Sequence, residues 1–510
     1  MKKILSTIAL GLIMPLIANA QLLKTTVTQG EIEGELFEGF AMYRAIPYAE
    51  APVGNLRWKN PVPKAPWKGV YKAEKWGGRP WQQTDPNQNG NDIACSEDCL
   101  FLSVETPAKS ASERLPVFVN IHGGGFATGS YSGTQESFVK EGIVYVSIEY
   151  RLGALGFMAH PELSKESRNG ISGNYGIYDQ ICALNWIHDN IASFGGDPNN
   201  VTICGESAGG ISVSILCASP LCKGLFQRAI SESGSNFCPI INTTGMSAAM
   251  KLSKAAEATG SEFQKKMNAK NLKQMRSLSA ESLIKNTTNE NFWPVVDGIA
   301  ITDDQYKLYE LGQYNDVDVI AGYNSDEGSL FVHQMNLDMY RQAMKTQFGD
   351  WADKAMDAYP ASTDQEALYA VQDIFRDQAF GYGTWAWCNL QTKTGKGKVY
   401  MYYFDQLSQN TLVKNTRGAT HVAEMPFIYG WNWGAMTDTD THMAQIMSQY
   451  WINFIKTGNP NADGLPFWTT YRQGEATVMN MHNGFSLTKA PNQKQMDFYE
   501  SYFGAMRKQK

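Results

Sequence analysis

The chain contains no C-x-x-C pair and no H-E-x-x-H segment, so the common zinc-ligand spacings are missing. It has no long basic run, and its formal charge of −6 argues against nucleic acid or an anionic membrane surface as a partner. Past the first twenty residues no window is apolar enough to cross a bilayer, which excludes an internal membrane span. Eight cysteines in 510 residues are too few for a staple framework. Internal repeats and low-complexity linkers are also missing, so solenoids and flexible multidomain arrays are not indicated.

The amino terminus has a different character. Met1, Lys2 and Lys3 precede an apolar run from Ile4 to Ile17 and then Ala18, Asn19, Ala20, which is the basic, apolar and small-x-small order of a secretory signal peptide. Cleavage is expected after Ala20, leaving residues 21–510 as an exported chain, periplasmic or secreted. Loss of Lys2 and Lys3 takes the formal charge from −6 to −8. Export permits disulfides: Cys95 and Cys99, four apart in a polar loop, are the best candidate pair, and Cys217 and Cys222 a weaker one. Cys182, Cys204 and Cys388 lie in apolar surroundings and read as buried thiols.

Short apolar runs, each followed by a glycine-rich or acidic loop, predict buried parallel strands at Val117 to Ile121, Ile143 to Ile148, Val201 to Cys204, Val317 to Ala321 and Val399 to Phe404. Helical patterns separate them. The alternation predicts a single α/β domain, a mostly parallel sheet covered on both faces, with ligands beyond the carboxyl ends of its strands. The clearest helix spans about His442 to Lys456, with Thr439, Asp440 and Thr441 as candidate caps and Gly458 as its stop. Helical stretches near Met246 to Ile284 and Leu337 to Asn389 look like lid-like insertions; Trp385 and Trp387 in the second suit either a substrate gorge or ordinary packing.

The chemistry concentrates in Cys204-Gly205-Glu206-Ser207-Ala208-Gly209-Gly210. A serine between glycines after a strand is the sequence form of a nucleophile elbow, in which the chain turns sharply and any Cβ beside the turn would clash. Such a motif recurs by chance, so partners must be found. A serine hydroxyl needs a base, a carboxylate to orient that base, and donors for the developing oxyanion. His122-Gly123-Gly124-Gly125 follows a strand and frees N–H groups that, with the N–H of Ala208, make such a hole. The loop Asn324-Ser325-Asp326-Glu327-Gly328 offers the acid, and His421 the base. The order serine, acid, histidine is that of α/β-hydrolases. His160, His188, His333, His442 and His482 read as surface or helix residues without a paired motif.

Several ordered blocks carry a wider likeness: Arg44 to Pro52, Ser96 to Val104, Tyr150 to Phe157, Gly173 to Gly210, Pro294 to Gly298 and Trp451 to Asn461. On these the chain resembles the type-B carboxylesterase and cholinesterase-like family, which includes the para-nitrobenzyl esterases. The resemblance implies an α/β-hydrolase fold with Ser207 as nucleophile, His421 as base and Glu327 rather than Asp326 as acid. It also implies a hole made by Gly124, Gly125 and Ala208, Glu206 beside the catalytic histidine, and Ser233 as a support behind the triad. The family's Glu-Asp-Cys cysteine usually bridges to an upstream cysteine whose place here is taken by Pro80, so Cys99 is expected to pair with Cys95 or to stay free. The loop from Trp81 to Asp92 is polar and glycine-containing, which gives no reason to assume a choline pocket.

The expectation is therefore a serine carboxylic-ester hydrolase that acts on a small-molecule ester through an acyl-enzyme, with no metal, no organic cofactor, no nucleic acid partner and no stable membrane insertion. Two alternatives stand beside it: a non-catalytic binding member of the same fold, and a hydrolase of lactones, thioesters or amides using the same site.

Overall fold

A computed structural model describes residues 21–83, 93–130, 134–241, 250–287, 292–408, 416–431 and 434–508. The expected signal segment, residues 1–20, lies outside the described residues, as does most of the polar loop from Trp81 to Asp92.

The structure is an α/β-hydrolase fold built on a mixed sheet of eleven strands. In chain order these are β1 (Glu35–Phe37), β2 (Phe40–Pro47), β3 (Phe101–Thr106), β4 (Leu115–Ile121), β5 (Val144–Ile148), β6 (Gly196–Glu206), β7 (Arg228–Glu232), β8 (Asp318–Asn324), β9 (Val399–Phe404), β10 (Thr477–Met481) and β11 (Phe485–Lys489). Their order across the sheet is β11-β10-β9-β8-β7-β6-β4-β5-β3-β2-β1. From β5 to β10 every pairing is parallel, whereas β1, β2, β3 and β11 join antiparallel.

The apolar runs form strands because both faces are buried, so alternate residues feed two cores. Val119, Ile203, Ala229, Val319 and Val399 stand side by side across five strands and pack into one. Cys204, Ile230, Ile320 and Tyr400 make the matching row on the other. Each large aliphatic in these rows stabilises the fold by about 1.5–3 kcal/mol through burial. Five expected strands are thus present, with β6 extending further in both directions than Val201 to Cys204.

The longer helices include α1 (Tyr175–Asn190), α2 (Ala208–Ala218), α3 (Asp364–Arg376), α4 (Tyr382–Thr394) and α5 (Asp438–Thr457). Helix α5 is the one expected near His442 to Lys456, but it starts earlier: Thr437 is the cap, in a reciprocal box with Asp440, and Gly458 ends it at φ 74°. The second insertion is helical apart from a break at residues 359–363, and a π-turn at Asp377–Gly381 joins α3 to α4. Trp387 is packing: it is fully buried, bonded to Gln391 at 2.8 Å and stacked on Phe237.

The Cys95–Cys99 disulfide is not formed; all eight cysteines are free thiols. Cys95 is half-buried in a two-residue strand paired with Arg79–Pro80. The chain then turns at Asp98, whose N–H donates to Ser96 Oγ at 3.0 Å, and Cys99 enters the core beside Arg151 and Pro80. The two thiols therefore serve different layers. His160, expected as a surface or helix residue, is a buried helix cap: its Nδ1 accepts from Glu162 N at 3.1 Å at the start of the short helix Pro161–Glu166.

Candidate active site

The carboxyl ends of β4, β6, β7 and β8 converge on one spot, where ligands bind in open parallel sheets. Strand β6 ends at Glu206 and α2 begins at Ala208, so Ser207 alone makes the turn, at φ 58° and ψ −122°. Its N–H donates to Glu232 O and its carbonyl accepts from Ile211 N, both at 2.9 Å. The glycines are needed for space: a Cβ on Gly205 would run into the backbone of Gly209, and one on Gly209 into the Ile121 carbonyl.

The loop after β4 holds three successive residues in the left-handed region, Gly124 at φ 97°, Gly125 at 62° and Phe126 at 56°. It abuts the elbow so closely that a Cβ on Gly123 would lie 2.5 Å from Glu206 O and 3.2 Å from Ser207 Cβ. Among the described residues the N–H groups of Gly124, Gly125 and Ala208 have no acceptor within the protein. Donors without partners thus lie beside the serine. Behind the loop, His122 stacks on Tyr150 at 4.4 Å, and the Tyr150 hydroxyl donates to His122 O at 2.8 Å.

Glu327 opens the turn after β8 and is fully buried. Its Oε1 accepts from Ser233 Oγ at 2.6 Å and from Asn324 N at 2.7 Å; its Oε2 lies 2.5 Å from His421 Nδ1. Because a carboxylate accepts, this contact places the ring proton on Nδ1. Asp326 is turned away, taking the Arg417 N–H at 2.9 Å and its guanidinium at 3.2 Å. Of the two carboxyls offered by this loop, Glu327 is the one that meets the imidazole.

His421 Nε2 faces the elbow, 3.2 Å from Glu206 Oε1. Among the described residues no hydrogen bond joins Ser207 Oγ to the ring; the neighbouring carboxylate occupies that position. Phe380, from the π-turn, stacks on the imidazole at 4.6 Å, and Phe331 tilts against it at 5.2 Å, which limits water at the ring. Burial alone would lower the His421 pKa, yet Glu206 and Glu327 outweigh it and lift the group to about 9. Glu206 is itself raised, first by burial and further by Glu327 and Glu232, with His421 opposing. Glu424 is pushed well above the ordinary carboxylate range, chiefly by burial, and receives the Asn324 amide.

All the expected site residues, Ser207, Glu327, His421, Gly124, Gly125, Ala208, Glu206 and Ser233, are therefore neighbours in space. Sequence reading missed Asn324, Phe380, Glu424 and Glu232. Glu424 had a faint signal, three residues beyond His421; Phe380 had none, lying in a helical insertion distant in sequence.

The model of the Carboxylesterase family matches residues 21–499. The chain belongs to the carboxylesterase family. It is 31% identical to para-nitrobenzyl esterase of Bacillus subtilis (strain 168), over 91% of this chain and 96% of that protein. It is 32% identical to fumonisin B1 esterase of Sphingopyxis macrogoltabida, over 89% and 86%. A solved PNB esterase structure superposes with a TM-score of 0.80 at 29% identity, covering 94% of this chain and all of that one. The carboxylesterase fold and the reaction class, carboxylic ester hydrolysis, follow from this membership.

Proposed function

We propose that this carboxylesterase works through a Ser207–His421–Glu327 triad and an acyl-enzyme on Ser207. The observation that carries the reading is the imidazole held between two buried carboxylates, Nδ1 on Glu327 at 2.5 Å and Nε2 on the elbow residue Glu206 at 3.2 Å. On substrate entry the ring exchanges Glu206 for the adjacent Ser207 hydroxyl. Ser207 Oγ then attacks the ester carbonyl while Nε2 takes its proton, and Glu327 holds the Nδ1–H and balances the imidazolium. The carbonyl oxygen, now anionic, receives the open N–H groups of Gly124, Gly125 and Ala208. Nε2 returns the proton to the departing alcohol, and a water activated in the same way releases the acid. Glu206 and Ser233 support the two ends of the imidazole–carboxylate line.

The substrates are small-molecule esters, in keeping with the named relatives. Mature protein should release p-nitrophenol from acetate and butyrate esters between pH 6 and 9, and Ser207→Ala should abolish it with folding retained. Equal turnover by Ser207→Ala refutes the nucleophile assignment. We further propose export with removal of residues 1–20; amino-terminal sequencing of protein from the extracellular or periplasmic fraction should begin at Gln21, and a chain retaining Met1 there refutes it.

A further inference from the structure

Strand β7 ends in a carboxylate that the reaction above does not use. Glu232 is fully buried, and its Oε1 accepts from Trp451 Nε1 at 2.7 Å. The Tyr429 hydroxyl lies 3.3 and 3.2 Å from its two oxygens, and Cys204 Sγ donates to Oε1 at 3.6 Å. A carboxylate in such a place is costly to strip of its hydration, where a leucine or glutamine would fill the volume at less cost.

Its connections reach the segments that carry Ser207, Glu327 and His421. The Glu232 carbonyl takes the Ser207 N–H, and the next residue, Ser233, donates to Glu327. Tyr429 closes the short helix Met425–Tyr429, which follows directly on His421 to Glu424. Trp451 comes from α5, and Cys204 from the strand that carries the elbow. We propose that Glu232 is a positioning residue for ester hydrolysis, fastening Tyr429 and Trp451 to the end of β7 so that Ser207, Glu327 and His421 keep one register. This inference rests on the triad assigned above.

The groups facing Glu232 are Cys204, Tyr145, Tyr402, Tyr429, Glu206 and Glu424, together with the Trp451 indole. Burial raises its pKa to about 7, with the Trp451, Tyr429 and Cys204 donors holding it down. Protonation removes acceptor capacity that three donors use, so the fastening weakens as pH falls through this value.

The test is Glu232→Gln, which keeps the shape and one acceptor oxygen, compared with Tyr429→Phe, which keeps the carboxylate and removes a donor. With p-nitrophenyl acetate, Glu232→Gln should lower kcat by about tenfold to a hundredfold, as expected for a displacement approaching 1 Å, with KM within about twofold. It should also lower the limiting acid-side slope of log kcat/KM against pH by one. Tyr429→Phe should move that ionisation to higher pH, because fewer donors favour the ionised form. If kcat and pH profile stay as in the parent while only the melting temperature falls, the residue is merely structural and the proposal is overturned. Should Glu232→Gln fail to fold, an unmoved profile in Tyr429→Phe overturns it alone. Ser207→Ala run in parallel separates the two levels: activity surviving there removes the triad, whereas activity lost there with Glu232→Gln unchanged removes only this inference.

Discussion

Gly123→Ala isolates the contact between the oxyanion loop and the elbow. The added Cβ would lie 2.5 Å from Glu206 O, 3.2 Å from Glu206 Oε2 and 3.2 Å from Ser207 Cβ. Ordinary carbon contacts lie near 3.5–4.0 Å, so the loop must retreat by about 1 Å. The elbow cannot yield instead, because Ser207 N is bonded to Glu232 O and Gly209 is packed on Ile121. Withdrawing one N–H donor costs about 3 kcal/mol of transition-state stabilisation, which is about a hundredfold or more in kcat. The folding cost of one overpacked methyl is about 1–3 kcal/mol. Steady-state kinetics with p-nitrophenyl acetate, alongside thermal melting, should show a large fall in kcat in a folded protein. Turnover within about twofold of the parent would refute the claim that loop and elbow share one transition-state site.

Glu206→Gln removes the carboxylate that most raises His421, whose pKa stands at about 9. In the proposed mechanism the neutral ring is the base, so activity is lost as pH falls through that pKa; the variant's acid limb in kcat/KM should move down by about one unit or more, and an unmoved or raised limb contradicts the assignment. Ser233→Ala deletes the 2.6 Å donation to Glu327 while leaving Asn324 N in place. A hydrogen bond to a charged acceptor is worth about 1.5–3 kcal/mol, so kcat should fall about tenfold or more with little change in KM. Gly504→Ala lies in the helix Gln493–Lys508 with nothing within 4 Å of the new methyl. It should stabilise the protein by about 0.5–1 kcal/mol in denaturant melts and leave kinetics untouched.

The catalytic half of this fold was legible because its strands are continuous apolar runs buried on both faces, punctuated by glycine and acidic loops. The antiparallel half was not. Strand β2 contains Arg44, which ion-pairs with Glu35 and lies between the Phe37 and Trp76 rings, so tertiary contacts bury a charge that reads as surface. Spacing alone suggested Cys95 with Cys99, yet a turn between them sends one thiol inward. Local sequence also left Asp326 and Glu327 equivalent. The resemblance favoured Glu327, and the structure supplies the physical reason in Arg417, nearly a hundred residues away, which claims Asp326. Glu232 had no signature at all, since its role depends on Tyr429 and Trp451 arriving from the far end of the chain.

Strain and charge accumulate at the same place. Ser207, Ser233, Phe126 and Val422 all adopt positive φ without being glycine, each at a cost of order 1–3 kcal/mol. Three buried carboxyls, Glu206, Glu327 and Glu424, act on a single imidazole, and a fourth, Glu232, lies behind them, acting on Glu206 and Glu424. A tolerant loop would relax both features. They persist because three of the four strained residues lie at or just past a strand end locked in the parallel sheet: Ser207 after β6, Ser233 after β7, and Phe126, whose carbonyl receives Gly153 N, just past β4. Val422 has no strand beneath it; the Ser325 and Asn324 contacts to Ala419 and Thr420 hold its loop against the end of β8. The histidine is thereby the least directly anchored member of the proposed triad, and it is the one that must take up and return a proton.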